Sequence, residues 1–303
     1  MSAGEIILSA ELVGKRFGAV QALREVSLTV HAGEIVTLVG SDGAGKTTLI
    51  RIAAGLLAAD TGRVHRESGT VGYLSQGFSL YRDLSVEENI AFFAQLFGIR
   101  SFAARLEELL ELTRLSRFRS RRADRLSGGM KKKLALACAV IHHPRLLLLD
   151  EPTTGVDPVS RREFHTILTE LLHEGIGMLT TTPYFDEAER SDEVVVLHQG
   201  SVLAAGDPPS IIDAVKGASF ELICDPLRAA REALRNQPAV LQLDLYGDRL
   251  QVRTRAEAGV ASEAALRTLL ERAGVSVHAV RRVQPTLESA FMAFAERHTE
   301  AGR

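Results

Sequence analysis

Short apolar runs alternate with amphipathic stretches over residues 1–215. Apolar runs bounded by polar residues are typical of strands buried in a parallel sheet. They predict strands at 34–39, 146–149, 176–179 and 194–197. In 47–57 the apolar residues recur at helical spacing, which predicts a helix shortly after the first strand. This alternation favours an α/β fold in which helices cover a mostly parallel sheet.

The segment 86–126 departs from this alternation. Its pattern is dominated by helix, with Glu-rich turns such as 105–112. Since the segment falls between predicted strands of the sheet, we interpret it as a helical subdomain inserted into the α/β domain.

A second pattern begins near Ala218. Its segments follow the order βαββαβ, with strands at 220–223, 240–246, 250–253 and 275–283 and helices at 226–236 and 261–273. Gly247-Asp248 is a hairpin signal between the second and third strands. The order predicts a small ferredoxin-like α+β domain with a final helix after Pro285. We therefore expect two domains, at 1–217 and 218–303.

Composition and charge give no support to a nucleic-acid-binding function. With 36 basic and 38 acidic residues, the formal charge of −2 gives no overall field that favours nucleic acid. The lysines at 131–133 are interpreted as a solvated helix face. Cys138 and Cys224 lie in apolar surroundings without metal-ligand spacing, which favours reduced core cysteines in a cytoplasmic protein.

The chain shows no segment that predicts membrane insertion by itself. Residues 1–10 lack the basic start and the cleavage site of a secretory signal. The longest strongly apolar stretch, 134–141, is far shorter than the ~20 residues that span a bilayer. We therefore expect a protein that reaches a membrane only through a partner.

A glycine-rich loop lies between the strand at 34–39 and the helix at 47–57. It fits the pattern G-x-x-x-x-G-K-[ST], whose backbone N–H groups and helix N-terminus surround phosphates. The loop predicts an ATP site in which Lys46 reaches the β and γ phosphates and Thr47 ligates Mg²⁺. The residues expected to contact ATP are Gly40, Ser41, Asp42, Gly43, Ala44, Gly45, Lys46, Thr47 and Thr48. Many NTPases carry such a loop, so other motifs must identify the class.

The motifs that follow resemble those of the ABC ATP-binding cassette. The segment 126–130 (LSGGM) resembles the family's signature, and the strand at 146–149 then leads into Asp150 and Glu151. Taken alone, a Ser-Gly-Gly run is also typical of a turn, and acidic residues after a strand can cap a helix. The resemblance implies that Ser127, Gly128 and Gly129 complete the ATP site of an opposing subunit. It also implies that Asp150 holds Mg²⁺ through water and that Glu151 is the general base.

Three further residues match positions of the same family. Gln76, after a strand-like segment, matches the glutamine that senses Mg²⁺ and the γ-phosphate. Asp157 matches the loop through which two ATPase domains meet at the nucleotides. Phe17 stands where the family stacks an aromatic ring on adenine, although a lone Phe near a strand is also typical of a core. The resemblance thus implies catalytic roles for Glu151, Gln76 and Lys46, and Mg²⁺ contacts from Thr47, Gln76 and Asp150.

Pro183 breaks the family pattern. In the run 180–188 (TTTPYFDEA), proline replaces the family's histidine, which bonds the γ-phosphate and holds the attacking water. Proline has neither a side-chain donor nor an N–H. Its presence is expected to slow phosphoryl transfer by about two to three orders of magnitude, unless Thr182 or a partner residue replaces the donor. Since the signature is intact, we favour an asymmetric dimer in which this chain's own site is weak.

Several segments resemble one subgroup, the ATPase subunits of ABC-2 type exporters, which includes the multidrug-resistance-like group. They are 76–89, the Gly-Gly-Met end of the signature, and 182–189. The resemblance implies ABC-2 type membrane permease subunits as partners and a second ABC ATPase chain, in a heterodimer rather than a homodimer, at the inner face of the cell membrane. Two other functions stay open: a soluble ABC ATPase outside transport, and a regulatory nucleotide binder that does not hydrolyse ATP.

Overall fold

The computed structural model describes residues 4–67, 71–77, 79–215, 217–255 and 262–301. Phe78, in the 76–89 segment, and residue 261, in the helix predicted at 261–273, lie outside the described residues. Contacts divide the chain into two compact units, unit 1 at Met1–Pro208 and unit 2 at Pro209–Arg303. The sequence places the domain boundary slightly later, between residues 217 and 218, where the first strand of unit 2 begins.

Unit 1 is built on a largely parallel sheet. Its strands, in chain order, are β1 (Ile6–Phe17), β2 (Val20–His31), β3 (Ile35–Val39), β4 (Thr61–Arg66), β5 (Val71–Leu74), β6 (Leu146–Asp150), β7 (Gly177–Thr182), β8 (Glu193–His198) and β9 (Ser201–Gly206). The main sheet has the order β5-β6-β7-β3-β8-β9, in which only the β8–β9 pair is antiparallel among the described strands. The strands predicted at 34–39, 146–149, 176–179 and 194–197 are therefore confirmed as β3, β6, β7 and β8.

A second, antiparallel sheet of unit 1 has the order β2-β1-β4. Its inward-facing residues, such as Val13 and Leu23, share one hydrophobic cluster with Val36 and Leu38 of β3. All four side chains are fully buried. Burial of this shared apolar layer holds the two sheets together and keeps the carboxyl end of β3 in place.

The helices of unit 1 cover the parallel sheet and fill the segment between β5 and β6. They are α1 (Lys46–Ala53), α2 (Val86–Leu96), α3 (Ala103–Leu112), α4 (Gly128–Val140), α5 (Pro158–His173) and α6 (Phe185–Ala188), followed by α7 (Pro208–Asp213) at the unit boundary. Short 3₁₀ turns lie at Ser116–Phe118 and Ala123–Arg125. Among the described residues, no helix is both long enough and apolar enough to cross a membrane.

Helix α1 ends earlier than the sequence predicted. The predicted helix ran to residue 57, whereas α1 ends at Ala53. Gly55 follows with a φ of 75°, and the N–H of Leu56 donates to the Arg51 carbonyl oxygen at 2.9 Å. This pattern is the Schellman ending, in which a left-handed glycine closes the last turn. Leu56 is consequently 65% exposed instead of lying on a buried helix face.

Unit 2 is an α+β unit. Its elements are β10 (Ala218–Asp225), α8 (Leu227–Arg235), β11 (Val240–Tyr246), β12 (Arg249–Thr254), α9 (Glu263–Arg272), β13 (Ser276–Val283) and α10 (Leu287–Ala301). The strands form an antiparallel sheet in the order β11-β12-β10-β13. The predicted hairpin at Gly247-Asp248 is confirmed, because Tyr246 pairs with Arg249 across that turn. One face of the sheet packs on α8 and α9 around Phe220, Leu250 and Leu266.

Candidate active site

The glycine-rich loop joins the carboxyl end of β3 to the N-terminus of α1. Gly40 and Gly45 have positive φ angles of 155° and 107°. A Cβ atom would lie 2.1 Å from the Leu197 carbonyl oxygen at Gly40 and 2.5 Å from the Ala22 carbonyl oxygen at Gly45. Only glycine fits either place. Lys46, 4% exposed, donates from Nζ to the Gly40 carbonyl oxygen at 2.7 Å, so the loop wraps around an ammonium group.

A cavity of 460 Å³ opens beside this loop. Its volume lies in the range of about 300–1,000 Å³ that is usual for small-molecule and cofactor clefts. The cavity is lined by the glycine-rich loop, the first half of β2, Glu151 directly after β6, and Gln199 directly after β8. The lining residues are Val20, Gln21, Ala22, Arg24, Asp42, Gly43, Ala44, Gly45, Lys46, Thr47, Thr48, Glu151 and Gln199.

Asp150 ends β6 next to the loop. It is 1% exposed, and its Oδ1 accepts hydrogen bonds from the Thr47 and Thr181 hydroxyls, both at 3.0 Å. Thr47 comes from α1 and Thr181 from β7, which pairs with β6 in parallel so that Asp150 lies opposite Thr181. The register of β6 and β7 therefore places the buried Asp150 carboxylate beside the first turn of α1.

Glu151 is the next residue and adopts a positive φ of 47°. A left-handed backbone is unusual for a non-glycine residue and is found often at functional sites. Its Oε2 accepts from the Gln76 Nε2 at 2.9 Å and from the Thr154 hydroxyl at 3.3 Å, while its N–H donates to the Thr181 hydroxyl at 2.9 Å. These contacts direct the carboxylate of a half-buried residue toward Gln76 and the cavity.

The arrangement fits Mg²⁺. The Thr47 hydroxyl and the Asp150 carboxylate are hard oxygen ligands that already lie side by side at the phosphate loop. Across the described ranges, no group of three or more His, Cys, Asp or Glu side chains is placed to hold a metal ion by itself. An ion held here would share its coordination with phosphate oxygens and water, which matches the preference of Mg²⁺.

The loop after β7 has different chemistry from the loop after β6. Successive side chains of a strand point to opposite faces, so Thr181 faces Asp150 while Thr182 faces away from it. Thr182 is 2% exposed and donates to the Glu187 Oε2 at 2.7 Å. The hydroxyl of Thr182, which was the alternative donor to the family's histidine, is thus bonded to Glu187 in this structure. Pro183 follows directly and offers no hydrogen-bond donor at this sheet edge.

Glu187 anchors the loop that contains Pro183. It is 7% exposed, and its Oε2 also accepts from the Thr153 hydroxyl at 2.8 Å. Its Oε1 lies 3.2 Å from the Arg161 Nε and 3.6 Å from the His165 Nε2 of α5. Burial raises the pKa of the Glu187 carboxyl, but His165 and the Thr182 and Thr153 hydroxyls outweigh it and hold that pKa below its ordinary value.

The signature residues and Asp157 lie together but do not line the cavity beside the phosphate loop. Ser127 caps α4 by accepting from the Met130 N–H at 3.3 Å. Gly129 packs against α5, where an added Cβ would lie 2.4 Å from the Ser160 Oγ. Asp157 caps α5 by accepting from the Ser160 N–H at 2.9 Å, and this bond lowers the pKa of its carboxyl. These predicted contacts thus form a second cluster on the chain.

Phe17 ends β1 and is 49% exposed. It is not among the residues that line the cavity, although Val20 and Gln21, just beyond it in the chain, are. The Lys15 Nζ lies 5.6 Å from the centre of its ring. Because its side chain is exposed, Phe17 is not the buried core residue that the sequence analysis considered as the alternative.

The interpretation of the lysines at 131–133 as a solvated face is wrong. Lys132 is 3% exposed and Lys133 is 6% exposed. The Lys133 Nζ donates to the Glu163 Oε2 at 2.8 Å. The physical reason is that α4 is buried on nearly all sides from residue 132 onward, so these positions have no face in water.

Two residues at the site carried no role in the sequence analysis. Thr181 bonds both Asp150 and the Glu151 backbone, and Lys132 donates from Nζ to the Gln76 carbonyl oxygen at 2.8 Å. A signal for Lys132 exists in the sequence, because it lies two positions before the apolar stretch 134–141, which is typical of a buried helix. No comparable signal marks Thr181, since the strand register that brings it to Asp150 is not visible in the chain.

Comparison with known proteins gives a consistent result. The profile of the family described as "ABC transporter" matches residues 23–154. A Nod factor export ATP-binding protein I of Bradyrhizobium diazoefficiens is 35% identical over 260 residues, covering 80% of this chain and 84% of its own. A probable multidrug ABC transporter ATP-binding protein of Escherichia coli, YbhF, is 40% identical over 246 residues, covering 76% of this chain. The match spans only 42% of the length of the E. coli protein.

A relative named for import and two solved structures extend the comparison. A sulfate/thiosulfate import ATP-binding protein of Methylococcus capsulatus is 39% identical over 225 residues, covering 66% of this chain and 63% of its own. A solved ATP-binding subunit of an ABC transporter has a TM-score of 0.63 and 30% identity, covering 69% of this chain and 92% of its own. An ABC transporter cassette in its ADP conformation has a TM-score of 0.59 and 27% identity, covering 68% and 92%.

Proposed function

Since the chain belongs to the ABC transporter ATP-binding protein family, we propose that it binds ATP and Mg²⁺ at residues 40–48 and serves as the ATPase subunit of an ABC-2 type exporter. One observation carries the proposal. Thr47 donates to Asp150, and Gln76 donates to Glu151, so hydrogen bonds join three separate segments at the end of β6, where Thr47 and Glu151 line the cavity. Phosphoryl transfer depends on positioning and electrostatics, and this assembly supplies both.

In the proposed reaction, the loop N–H groups and Lys46 bind the phosphates, and Glu151 accepts a proton from the attacking water. Gln76 orients the Glu151 carboxylate, which it already contacts at 2.9 Å. Thr47 and Asp150 would hold Mg²⁺, which neutralises phosphate charge when bound. The positive backbone φ of Glu151 supports its role, because strained residues cluster where a group must be aimed.

We further propose that this chain is the weaker half of an asymmetric ATPase dimer. Pro183 offers no donor, and Thr182 is bonded to Glu187, so the chain's own site lacks the polar group that the family's histidine provides. Ser127, Gly128 and Gly129 lie outside the chain's own cavity. We place them at the ATP of a second ABC ATPase chain, where helix α4 presents its N-terminus to phosphate.

The partner in the membrane is proposed to be an ABC-2 type permease, with the chain attached to the cytoplasmic face. An apolar groove of 150 Å³ lies next to Gln76 and is lined by residues that include Tyr73, Phe93 and Phe97. Phe97, which lines the groove, is 43% exposed, and Leu96, its neighbour in the chain, is 66% exposed. Exposed apolar side chains grouped at one groove favour contact with another protein, and their position beside the Gln76 segment would link that contact to the ATP site.

Export is proposed as the direction of transport. The segments 76–89 and 182–189 resemble ABC-2 exporters, and the Bradyrhizobium and E. coli relatives are named for export or multidrug transport. The Methylococcus relative is named for import. Transport by the complex with its permease should therefore be followed in both directions, in vesicles loaded inside or outside with substrate.

We propose two domains, an ATPase domain at 1–217 and a ferredoxin-like accessory domain at 218–303. A helical subdomain is proposed to be inserted into the ATPase domain between β5 and β6. The element order of unit 2 and its β11-β12-β10-β13 sheet support the first assignment. The run of α2 and α3 between two neighbouring strands of the main sheet supports the second.

A second candidate is a regulatory ATP binder that does not hydrolyse ATP, which Pro183 favours. The purified chain separates the two. We expect Mg²⁺-dependent ATP binding that Lys46→Ala abolishes, with slow hydrolysis that rises when a second ABC ATPase chain is added. Absence of hydrolysis in every such complex would favour the regulatory binder. Homodimers that hydrolyse ATP at a normal rate, sensitive to Glu151→Gln, would contradict the asymmetric dimer.

A further inference from the structure

A buried lysine connects the signature helix to the proposed catalytic glutamate. Lys132 lies on α4, five positions after Ser127 in the chain. Its Nζ donates to the Gln76 carbonyl oxygen at 2.8 Å, and the Gln76 side chain donates in turn to the Glu151 Oε2 at 2.9 Å. Two hydrogen bonds therefore link the helix that bears the signature to the carboxylate beside the phosphate loop.

Burial makes this link energetically demanding. Lys132 is 3% exposed, so the charge of its ammonium group must be compensated largely by polar or charged partners. Burial lowers the pKa of Lys132, and the charges of Asp150 and Glu151 oppose that shift. The lysine therefore interacts electrostatically with both proposed active-site carboxylates while its hydrogen bond fixes the backbone of Gln76.

We propose that Lys132 is a positioning residue that holds the Gln76 segment so that its amide reaches Glu151, and that it connects this chain's signature helix to its own ATP site. The inference rests on the proposed function, since it assigns Lys132 a role in that site. A movement of α4 caused by a nucleotide bound at Ser127 and Gly128 would be passed to Gln76 through one side chain. The two ATP sites of the dimer would then be coupled.

Lys133 provides a matched comparison. It is the next residue of the same helix, it is 6% exposed, and its Nζ donates to Glu163 of α5. Glu163 does not line the cavity beside the phosphate loop. If Lys132 served only to anchor α4, removing either ammonium group would have the same consequences. If Lys132 positions Gln76, only its removal changes the ATP site.

The test measures binding of ATP to the full chain by calorimetry, with excess Mg²⁺ and with EDTA. Lys132→Met is expected to weaken binding of ATP with Mg²⁺ by about tenfold, the effect of losing one hydrogen bond from a charged group, and to leave binding with EDTA unchanged. Gln76→Ala should weaken it similarly. The double variant should be no worse than Gln76→Ala, because non-additivity marks residues that act through one another. Lys132→Arg should retain most of the affinity, and Lys133→Met should match the wild type.

Other outcomes overturn the inference in distinguishable ways. Additive losses in the double variant, or an equal loss in Lys133→Met, would reduce Lys132 to a helix anchor. Wild-type affinity in a folded Lys132→Met would remove the role altogether. If Lys132→Met does not fold, Lys132→Arg and Lys132→Gln provide the test instead. The inference then requires that a variant keeps its affinity for ATP with Mg²⁺ only if its side chain still donates a hydrogen bond to the Gln76 carbonyl oxygen. If the wild type itself binds no ATP with Mg²⁺, the proposed function fails, and the inference fails with it.

Discussion

The loops after β6 and β7 lie side by side at one edge of the same sheet and differ in chemistry. Asp150 pairs in register with Thr181, so the two strands end together. The β6 loop carries two carboxylates, each held by at least two hydrogen bonds. The β7 loop carries Pro183, which has no donor. Two strands that end in register can therefore present different chemistry at the same sheet edge, because the residue that follows each strand decides which polar groups lie there.

The largest expected effect comes from restoring the donor. Pro183→His should raise ATP hydrolysis by about a hundredfold, because one positioned donor contributes about that much to phosphoryl transfer. Steady-state hydrolysis at saturating ATP measures it. Pro183→Ala is the matched control, since it removes the ring without adding a donor and should leave the rate low. Equal rates in the two variants would show that the β7 loop was never limiting.

The two neighbouring threonines of β7 provide the next test. Thr181→Val removes the hydroxyl that bonds Asp150 and the Glu151 N–H, and should weaken binding of ATP with Mg²⁺ by about tenfold. Thr182→Val removes a hydroxyl on the opposite face and should lower the free energy of unfolding by about 1 kcal/mol without changing binding. Nucleotide titration and chemical unfolding of both variants check this. A loss of affinity in Thr182→Val would place its side chain at the site after all.

The Glu187 carboxylate sets how firmly the β7 loop is held at different pH. Its pKa lies below the ordinary value, so its stabilising contribution is present above about pH 4.3 and is lost as the pH falls toward the folded-state pKa. Glu187→Gln should lower the free energy of unfolding by about 1 kcal/mol at pH 7, and the difference should vanish under acid conditions. Urea unfolding across this range measures it. A difference that is independent of pH would assign the effect to packing.

The smallest effect is expected at Thr154, which contacts Glu151 at 3.3 Å. A bond of this length to a half-buried group is weak, so Thr154→Val should change ATP hydrolysis by less than about threefold. Gln76→Ala, which removes the 2.9 Å contact to the same oxygen, should reduce it more. Measuring both variants in the Pro183→His background gives a rate high enough to compare. A reversed order would identify Thr154 as the main orienting residue of Glu151.

Much of this molecule follows from local pattern. The strands β3, β6, β7 and β8 were predicted because buried parallel strands require unbroken apolar runs. The phosphate loop was predicted because its glycines and its lysine act through positions adjacent in the chain. Gln76, Asp150 and Glu151 were singled out by their resemblance to positions of the ABC family, and the structure brings them together with Thr47.

Other features were decided only by tertiary structure. Whether Thr181 or Thr182 faces the carboxylates depends on the register between β6 and β7, and the chain alone does not reveal that register. Lys132 was misassigned because three consecutive lysines are typical of a solvated face, whereas packing surrounds α4 and turns two of them inward. The sequence by itself determined which residues are candidates for binding and cleaving a nucleotide. Packing and strand register determined which of their side chains lie together, because side-chain direction depends on neighbours that are distant in the chain.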